Sequence, residues 1–529
     1  MEDMTAILVV ALLGGMAAAV VRLPPLMGFL VAGFVLNVAG VESVPALDVV
    51  ADLGVTLLLF GVGLKIDLRQ LAERQVWATA TVHMVGSTLV GAGVVALVAL
   101  AGVALLEGSD WRTWVLVGFA LSFSSTVFVV KTLEERSGSR SLGGRTAIGV
   151  LIVQDLAAVA YLAASAGEPP SPYAVLVLLL LPGAWVLRTV LARLGHDELR
   201  PLFGLVLALV PGYALFDAVG LKGDLGALVV GMLLAGRPGA DSLSKSLFTL
   251  KDLLLVGFFV SIGIGALPSV EHLLVALLLV LVLLPLKAVG FAVLLGLTGL
   301  RRRTAVLAGT SLANFSEFGL IVAVASSAEV LGEEWVVTLA TAIAASFVVG
   351  TAVGRRPEYL VGLLSHLVPE RPEHRLHPED RPLDVGHAEA VVLGMGRVGR
   401  SAYERLEHLH GLGVVGVESS GERVHRLVEE GVDVVEGDAT DPEFYERLRT
   451  GDVRMVLLAM PFHGNNLDAL QLLRSSGFGG TVAIVTQYDA DLRQARALGA
   501  STGFQLYDGA GTELADRAAQ AAGLRIDDD

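Results

Sequence analysis

Residues 149–163 read GVLIVQDLAAVAYLA, an apolar run interrupted at its centre by Gln154 and Asp155. A carboxylate in such a run is costly if the run crosses a bilayer, so by default it marks an ion path. Working outward, three more apolar stretches carry polar groups at similar depth. LSFSSTVFVV (121–130) gathers Ser122, Ser124, Ser125 and Thr126, and SLANFSEFGLIV (311–322) carries Ser311, Asn314, Ser316 and Glu317. Between them, LLPLKAVGF (283–291) holds Lys287. Hydroxyls and amides can satisfy backbone groups freed where a helix unwinds, and irregular backbone is tolerated at membrane depth only where it lines a cavity. Two polar-interrupted helices in corresponding halves of a chain predict an inverted-repeat transporter with its site near the midplane.

A spanning helix needs roughly 20 apolar residues. Windows of that kind lie near 4–22, 26–41, 46–64, 76–105, 112–132, 143–164, 172–194, 201–220, 223–236, 252–267, 270–297, 303–328 and 334–354, about thirteen spans in all. The two polar-interrupted windows are the fifth and twelfth, each followed by one span in its half. Basic residues alternate in agreement. One side carries Arg22; Lys65, Arg69 and Arg74; Lys131, Arg136, Arg140 and Arg145; Arg188, Arg193 and Arg200; Arg237, Lys245 and Lys251; Arg301, Arg302 and Arg303; and Arg355 and Arg356. The opposite loops carry only Arg112 and Lys222. This bias puts the richly basic side in the cytoplasm, the N-terminus outside and the C-terminal region inside. The first window lacks a basic lead and a small-residue cleavage site, so it is expected to be a retained helix. Asp48, Asp52, Asp67 and Asp217 fall near span ends and are expected to face water or headgroups.

Composition divides the chain at the same place. Up to residue 356 acidic and basic groups nearly balance, whereas the remaining residues hold 16 Arg, no Lys and 29 acids. Clustered basic charge is what phosphate backbones demand, so this acidic tail excludes nucleic acid as partner. The absence of cysteine removes disulfides, thiolate metal sites and thiol catalysis.

Residues 355–387, rich in Pro, His and charge, read as a linker, with a second domain over 388–529. There AVVLGMGRVGRSAYERL (390–406) places an apolar strand, then Gly394, Gly396 and Gly399 in GxGxxG spacing, then an amphipathic helix. The next strand, VVGVE, ends on Glu418, 19 residues beyond Gly399. Strand, loop, helix and acid stand where a dinucleotide fold needs them. The glycines let backbone N–H groups around Arg397 and Val398 approach phosphate, and Glu418 can accept from ribose hydroxyls. An acid there disfavours a 2′-phosphate, so AMP, ATP or NAD(H) is expected. Further strands follow at 432–440, 453–460 and 481–487.

With these segments together, the chain resembles the monovalent cation:proton antiporter family 2, within the sodium/proton exchanger superfamily. DLGVTLLLFGVGLKIDLRQL (52–71), LSFSSTVFVVKTLEERSG (121–138), GVLIVQDLAAVA (149–160), LGALVVGMLLAG (225–236) and NFSEFGLIV (314–322) look like its signature segments in the family's order. The pair Gln154–Asp155 is similar to Kef-type potassium efflux systems; sodium exchangers usually carry Asn-Asp or Asp-Asp there. The resemblance implies a multi-pass α-helical membrane protein with an exchanger-like fold, a homodimer in the cell membrane with a dimerisation unit and a mobile core, and a cytosolic α/β Rossmann-like domain. It implies K+/H+ antiport, with Na+/H+ antiport as the alternative, rather than an enzyme. Asp155 would be the shared proton and cation ligand, with Gln154, Thr126, Ser125 and Glu317 around the K+ or Na+. Lys287 matches a lysine that in electrogenic relatives pairs with the first acid of the pair; with Gln154 in that place, Glu317 is the partner left for it, and a merely structural buried pair with Asp155 is the lesser alternative. EGDAT (436–440) is similar to the segment of KTN/RCK potassium-transport regulatory domains that contacts adenosine through Asp438, with Ala439 beside it. That match covers about 388–505, and the usual additional C-terminal subdomain is expected to be absent. Kef-type relatives are gated by glutathione through this domain, and a regulatory subunit is a further partner to expect. Arg397 matches an arginine of their glycine loop, but VTQYDADLRQ (485–494) lacks the arginine-rich pattern expected downstream. A ligand-gated K+ channel would need a TVGYG-type filter, which does not occur in this sequence, and no substrate domain for an oxidoreductase is expected after the Rossmann segment.

Overall fold

The computed structural model describes residues 2–21, 23–65, 71–103, 106, 108–135, 141–165, 171, 177, 180–193, 199–236, 239–377, 380–381, 383–385, 387–440, 444–445, 448–449, 452–505 and 515–522. Arg22, Asp67, Arg69, Arg136, Arg140, Arg237 and most of the seventh window before Leu180 lie outside the described residues. Two compact units separate near residue 370.

Each apolar window falls on helix, in order: α1 (Glu2–Val20), α2 (Pro25–Val38), α3 (Pro45–Leu64), α4 (Arg74–Leu100), α5 (Trp111–Ser122) with α6 (Thr126–Glu135), α7 (Leu142–Ala164), α8 (Leu180–Arg193), α9 (Leu199–Ala218), α10 (Gly223–Leu234), α11 (Ala240–Gly265), α12 (Val270–Thr298), α13 (Arg302–Ser311) with α14 (Glu317–Ser326), and α15 (Glu333–Gly354). Among the described residues, eight helices are long and apolar enough to cross a membrane, and four apolar ones are shorter. The chain therefore folds as a multi-pass helical membrane protein with two helices interrupted mid-course. α9 widens into π-helical turns at Ala208–Ala214, where Pro211 supplies no N–H.

Packing sorts these helices into two groups. α1, α2, α3, α10 and α11 lie against one another, while α4 and α5 pack with the group α12 to α15, which α6 joins through the stacked rings of Phe128 and Phe347. Glycines bring backbones into contact where helices cross, as membrane packing requires without water to drive it. A Cβ on Gly33 would lie 2.7 Å from the Gly263 Cα, and one on Gly91 would lie 2.8 Å from the Gly118 Cα. Within the stretch read as linker, Pro357–Leu364 forms a further helix, α16, which packs on α13 and α15 and buries Leu360.

The second unit is a six-stranded parallel sheet with helices between its strands. Its strands are β2 (Ala390–Leu393), β3 (Val414–Glu418), β4 (Val434–Glu436), β6 (Met455–Leu458), β7 (Thr481–Thr486) and β8 (Thr502–Gln505), in the order β4-β3-β2-β6-β7-β8. β1 (Leu383–Asp384) and β5 (Leu448–Arg449) form a separate parallel pair. α17 (Arg397–His408), α18 (Gly421–Glu429), α19 (His463–Ser475) and α20 (Asp489–Ala497) make the crossovers. This is the doubly wound order whose switch point lies between the first strand and its neighbour across the reversal, here β2 and β6.

Candidate ion site and nucleotide cavity

At Phe123–Ser125 and Leu312–Ser316 the two interrupted helices unwind. Each break frees carbonyls at the end of one half-helix and N–H groups at the start of the next. Their partners come from buried side chains. Gln154 on α7 works with both ends of its amide: its Oε1 accepts from the Ser124 N–H at 3.0 Å, and its Nε2 donates to the Ser122 carbonyl at 3.1 Å. Asn314, in the second break, reaches the first, accepting from the Ser125 N–H at 2.6 Å and donating to the Ser311 carbonyl at 2.8 Å. Ser125 Oγ caps the Phe128 N–H, Ser316 Oγ caps that of Phe318, and Ser346 on α15 accepts from Phe315.

Lys287 on α12 joins the two breaks. Its Nζ donates to the carbonyls of Leu121 at 3.2 Å, Phe123 at 2.6 Å and Asn314 at 2.7 Å, and it sits 5.4 Å from the centre of the Phe315 ring. The expected pairing with Asp155 or Glu317 is therefore corrected. An ammonium has three donors, and backbone oxygens take all three. The positive charge faces the carbonyl ends of the half-helices, where the helix dipole is negative.

Both carboxylates lie at the opposite, positive ends. Glu317 opens α14 and is bonded by Ser316 Oγ at 3.4 Å. Asp155 accepts at Oδ2 from the hydroxyl of Thr126, the first residue of α6, at 3.3 Å. The Asp155 side chain is 2% exposed, and its Oδ1 is buried without a hydrogen-bond partner. Ser124 Oγ is likewise buried without one. Buried polar atoms are nearly always paired, so a lone carboxylate oxygen between two helix breaks suits a site built for a small cation or a proton. The structure thus brings Asp155, Gln154, Ser125, Thr126, Lys287 and Glu317 into one neighbourhood of interrupted helices.

In the second unit, a cavity of about 990 Å³ opens at the switch point of the sheet. Gly394, Met395, Gly396, Arg397 and Val398 form one wall, and Glu418, Asp438 and Ala439 form another. The glycines divide the work. Gly394 has φ +95°, a left-handed turn that a side chain strains, and a Cβ on Gly399 would collide with the Gly394 carbonyl. A Cβ on Gly396 would meet nothing within 4 Å, so that face of the loop is the open one. Glu418 ends β3, almost fully buried; it accepts from the Ser420 N–H at 3.1 Å and pairs with Arg423 at 3.1 Å. Asp438 accepts from the Thr440 N–H at 2.8 Å, fixing the turn after β4. Tyr445 donates to the Ala439 carbonyl at 2.8 Å; burial, aided by the Asp438 charge, pushes its hydroxyl pKa well up and keeps it a donor.

Comparison with known proteins follows the same division. The family described as sodium/hydrogen exchanger, transmembrane, matches residues 7–355, and the TrkA-N domain family matches 390–505. The chain belongs to the sodium/hydrogen exchanger family. Similar relatives of this exchanger include the glutathione-regulated potassium-efflux system protein KefC of Cronobacter sakazakii, 30% identical over 479 residues that span 85% of this chain and 73% of the relative. The KefC of Salmonella newport is 29% identical over 482 residues, with the same coverage. Among solved structures, a sodium proton antiporter from Methanocaldococcus jannaschii aligns with a TM-score of 0.48 at 14% identity, covering 69% of this chain and 100% of that one. The two family matches make the exchanger a multi-pass cation/proton antiporter with a TrkA-N domain.

Some participants escape a reading of the sequence alone. Asn314 is visible as a polar residue of a break, but not as the brace between the two. Ser346 carries no signal beyond being a hydroxyl in a span. Arg423, five residues beyond Glu418 on the next helix, signals its role only once the acid is placed at the strand end. Asn466, which ties the Met460 backbone at the cavity edge through both its amide atoms, stands out only as a polar residue near the start of α19.

Proposed function

We propose that this exchanger is a homodimeric K+/H+ antiporter of the cytoplasmic membrane, working by alternating access with Asp155 as the shared site. The carrying observation is the buried Asp155 carboxylate, with one oxygen unpartnered and the other held by Thr126 at the start of a half-helix. One carboxylate that takes either a proton or a cation, never both, makes exchange obligatory. A bound proton or a bound cation each neutralises a charge that burial would otherwise leave uncompensated. Gln154 stands where a second carboxylate would add charge, so a one-for-one, electroneutral cycle follows, with a weaker field suited to K+. The similarity to KefC proteins, which are named for potassium efflux, supports the choice of cation. Thr126, Ser125, Gln154 and Glu317 complete the surroundings, and Lys287 holds the breaks.

The cavity of the TrkA-N domain is assigned to an adenine nucleotide (AMP, ATP or NAD(H)) that regulates transport and is not consumed. Gly394, Gly396, Arg397, Val398 and Gly399 would hold phosphate at the start of α17, Glu418 the ribose, and Asp438 with Ala439 the adenosine side. The N-terminus lies outside and this domain in the cytoplasm.

Flux in vesicles containing the full chain tests both parts. With K+ as the only cation, wild type should drive proton movement and Asp155→Asn should not, while remaining folded and dimeric. Exchange retained by Asp155→Asn refutes the site; exchange with Na+ alone makes the protein a Na+/H+ antiporter. Nucleotide that binds tightly yet leaves flux unchanged removes the regulatory role, since a ligand shifts an equilibrium only by its differential affinity.

A further inference from the structure

Of the eight long apolar helices among the described residues, α4 is the least covered, with 17% of its spanning window buried. Trp77, Val82, Val85 and Leu89 face outward, yet His83 in their midst is 5% exposed. Burying an imidazole at membrane depth is expensive unless its nitrogens are used. His83 meets a single turn of α12. Its ring stacks on Phe291 with centroids 3.4 Å apart and planes at 9°. It fits the notch left by Gly290, where a Cβ would come within 3.2 Å of the ring. Its Nε2 lies 3.3 Å from the backbone carbonyl of Lys287. A carbonyl only accepts, so Nε2 carries a proton and donates it, while Nδ1 is buried without a hydrogen-bond partner.

The positions touched, Lys287, Gly290 and Phe291, share one face of α12 at helical spacing. Two residues before Lys287 stands Pro285, which gives α12 no N–H there and weakens its own ladder at that turn. The missing bond is the one to the Leu281 carbonyl, and the His83 contact ties the same helix from outside just beyond that gap, at Lys287. Lys287 in turn supports both helix breaks beside Asp155 with three hydrogen bonds, and their carbonyls leave its ammonium little latitude. We infer that His83 is a positioning residue for exchange: by bonding the Lys287 carbonyl and stacking over the next turn, it sets where the ammonium reaches. The inference rests on the cation/proton exchange proposed above, but not on which cation is moved.

The test uses the full chain in vesicles, with whichever cation supports wild-type flux and with Asp155→Asn as the inactive reference. His83→Phe keeps a stacking ring and removes the donor; His83→Gln restores a donor without the ring. His83→Phe should exchange about three- to tenfold more slowly, the rate equivalent of one hydrogen bond, with its melting temperature in detergent and its half-saturating cation concentration unchanged. His83→Gln should recover at least half of the lost rate. Wild-type exchange by His83→Phe overturns the inference. So does a loss of rate that tracks a loss of melting temperature in both variants, because His83 would then be core packing alone. Failure of the Asp155→Asn reference to abolish flux would instead strike the proposed ion site and leave the comparison of His83 variants readable.

Discussion

Replacing Gln154 separates the two things this residue is asked to do, because one amide spans the whole first break. Gln154→Leu keeps the approximate volume and removes both polar ends. It leaves the Ser124 N–H and the Ser122 carbonyl, now paired at 3.0 and 3.1 Å, without partners in a fully buried setting. Each buried group so orphaned costs about 1–3 kcal/mol, or about 2–6 kcal/mol together by the same principle. At roughly 2 °C per kcal/mol for a large unit, melting should fall by about 4–12 °C. Gln154→Glu retains the acceptor for Ser124 but, when ionised, offers nothing to the Ser122 carbonyl and sets two negative oxygens face to face. Once protonated, the introduced carboxyl can donate to Ser122 as Nε2 does. Its deficit against wild type should therefore shrink as pH falls and grow as pH rises. Thermal melting of the purified, detergent-solubilised protein at pH 5.5 and pH 8 reads both effects. A Gln154→Leu variant melting within a degree of wild type would refute the bracing role. A Gln154→Glu deficit that is the same at both pH values would refute the hydrogen-bond account of it.

Other expectations concern separate parts of the chain. Asn314→Ala should lower stability by about 2–6 kcal/mol for the same reason, and Asn314→Asp, which keeps the acceptor for Ser125, should lose less; equal losses in a melting series would show that the brace does not matter. An imposed membrane potential should leave wild-type flux unchanged, and a voltage response would disprove one-for-one exchange. Gly396→Ala should weaken nucleotide binding without altering the melting of the TrkA-N domain, whereas Gly399→Ala should destabilise that domain; calorimetry on the full chain distinguishes them, and the reverse pattern would invert the roles given to the loop. Glu418→Ala should weaken binding by about 1–3 kcal/mol if a buried partner of the ribose is lost, and unchanged affinity would exclude it from the site.

The parts legible in the sequence are those that burial forces into composition. Apolar windows must be long to cross a bilayer, and a helix that unwinds there must carry its own polar groups, so both breaks can be located from Ser122 to Thr126 and from Asn314 to Glu317. The phosphate loop is equally plain, because Gly394 and Gly399 answer to backbone geometry that tolerates no side chain. The partners of Lys287 escape the sequence for a physical reason: matching charged side chains finds only side-chain partners, and its three partners are backbone oxygens that every residue possesses. Gln154 presents as a missing charge in the sequence and as a two-ended brace in the structure. Arg423 beside Glu418 depends on where a helix begins, and no spacing announces that.

The three bonds of Lys287 also impose an order on how the chain is made. The Leu121 carbonyl is synthesised 166 residues before the lysine that will hold it. At about 5–20 residues per second, that is an interval of roughly ten to thirty seconds. Asn314, which holds the Ser125 N–H, arrives later still, 189 residues downstream. For all that time the first interrupted helix has reached the translocation machinery while two of the side chains that make its interruption tolerable do not yet exist. A break left bare in lipid would cost several kcal/mol per group, so the nascent segment waits either as an unbroken helix or in contact with water. The inverted halves are thus unequal in biogenesis: the second matures against a finished first half, and the first is completed only by the second.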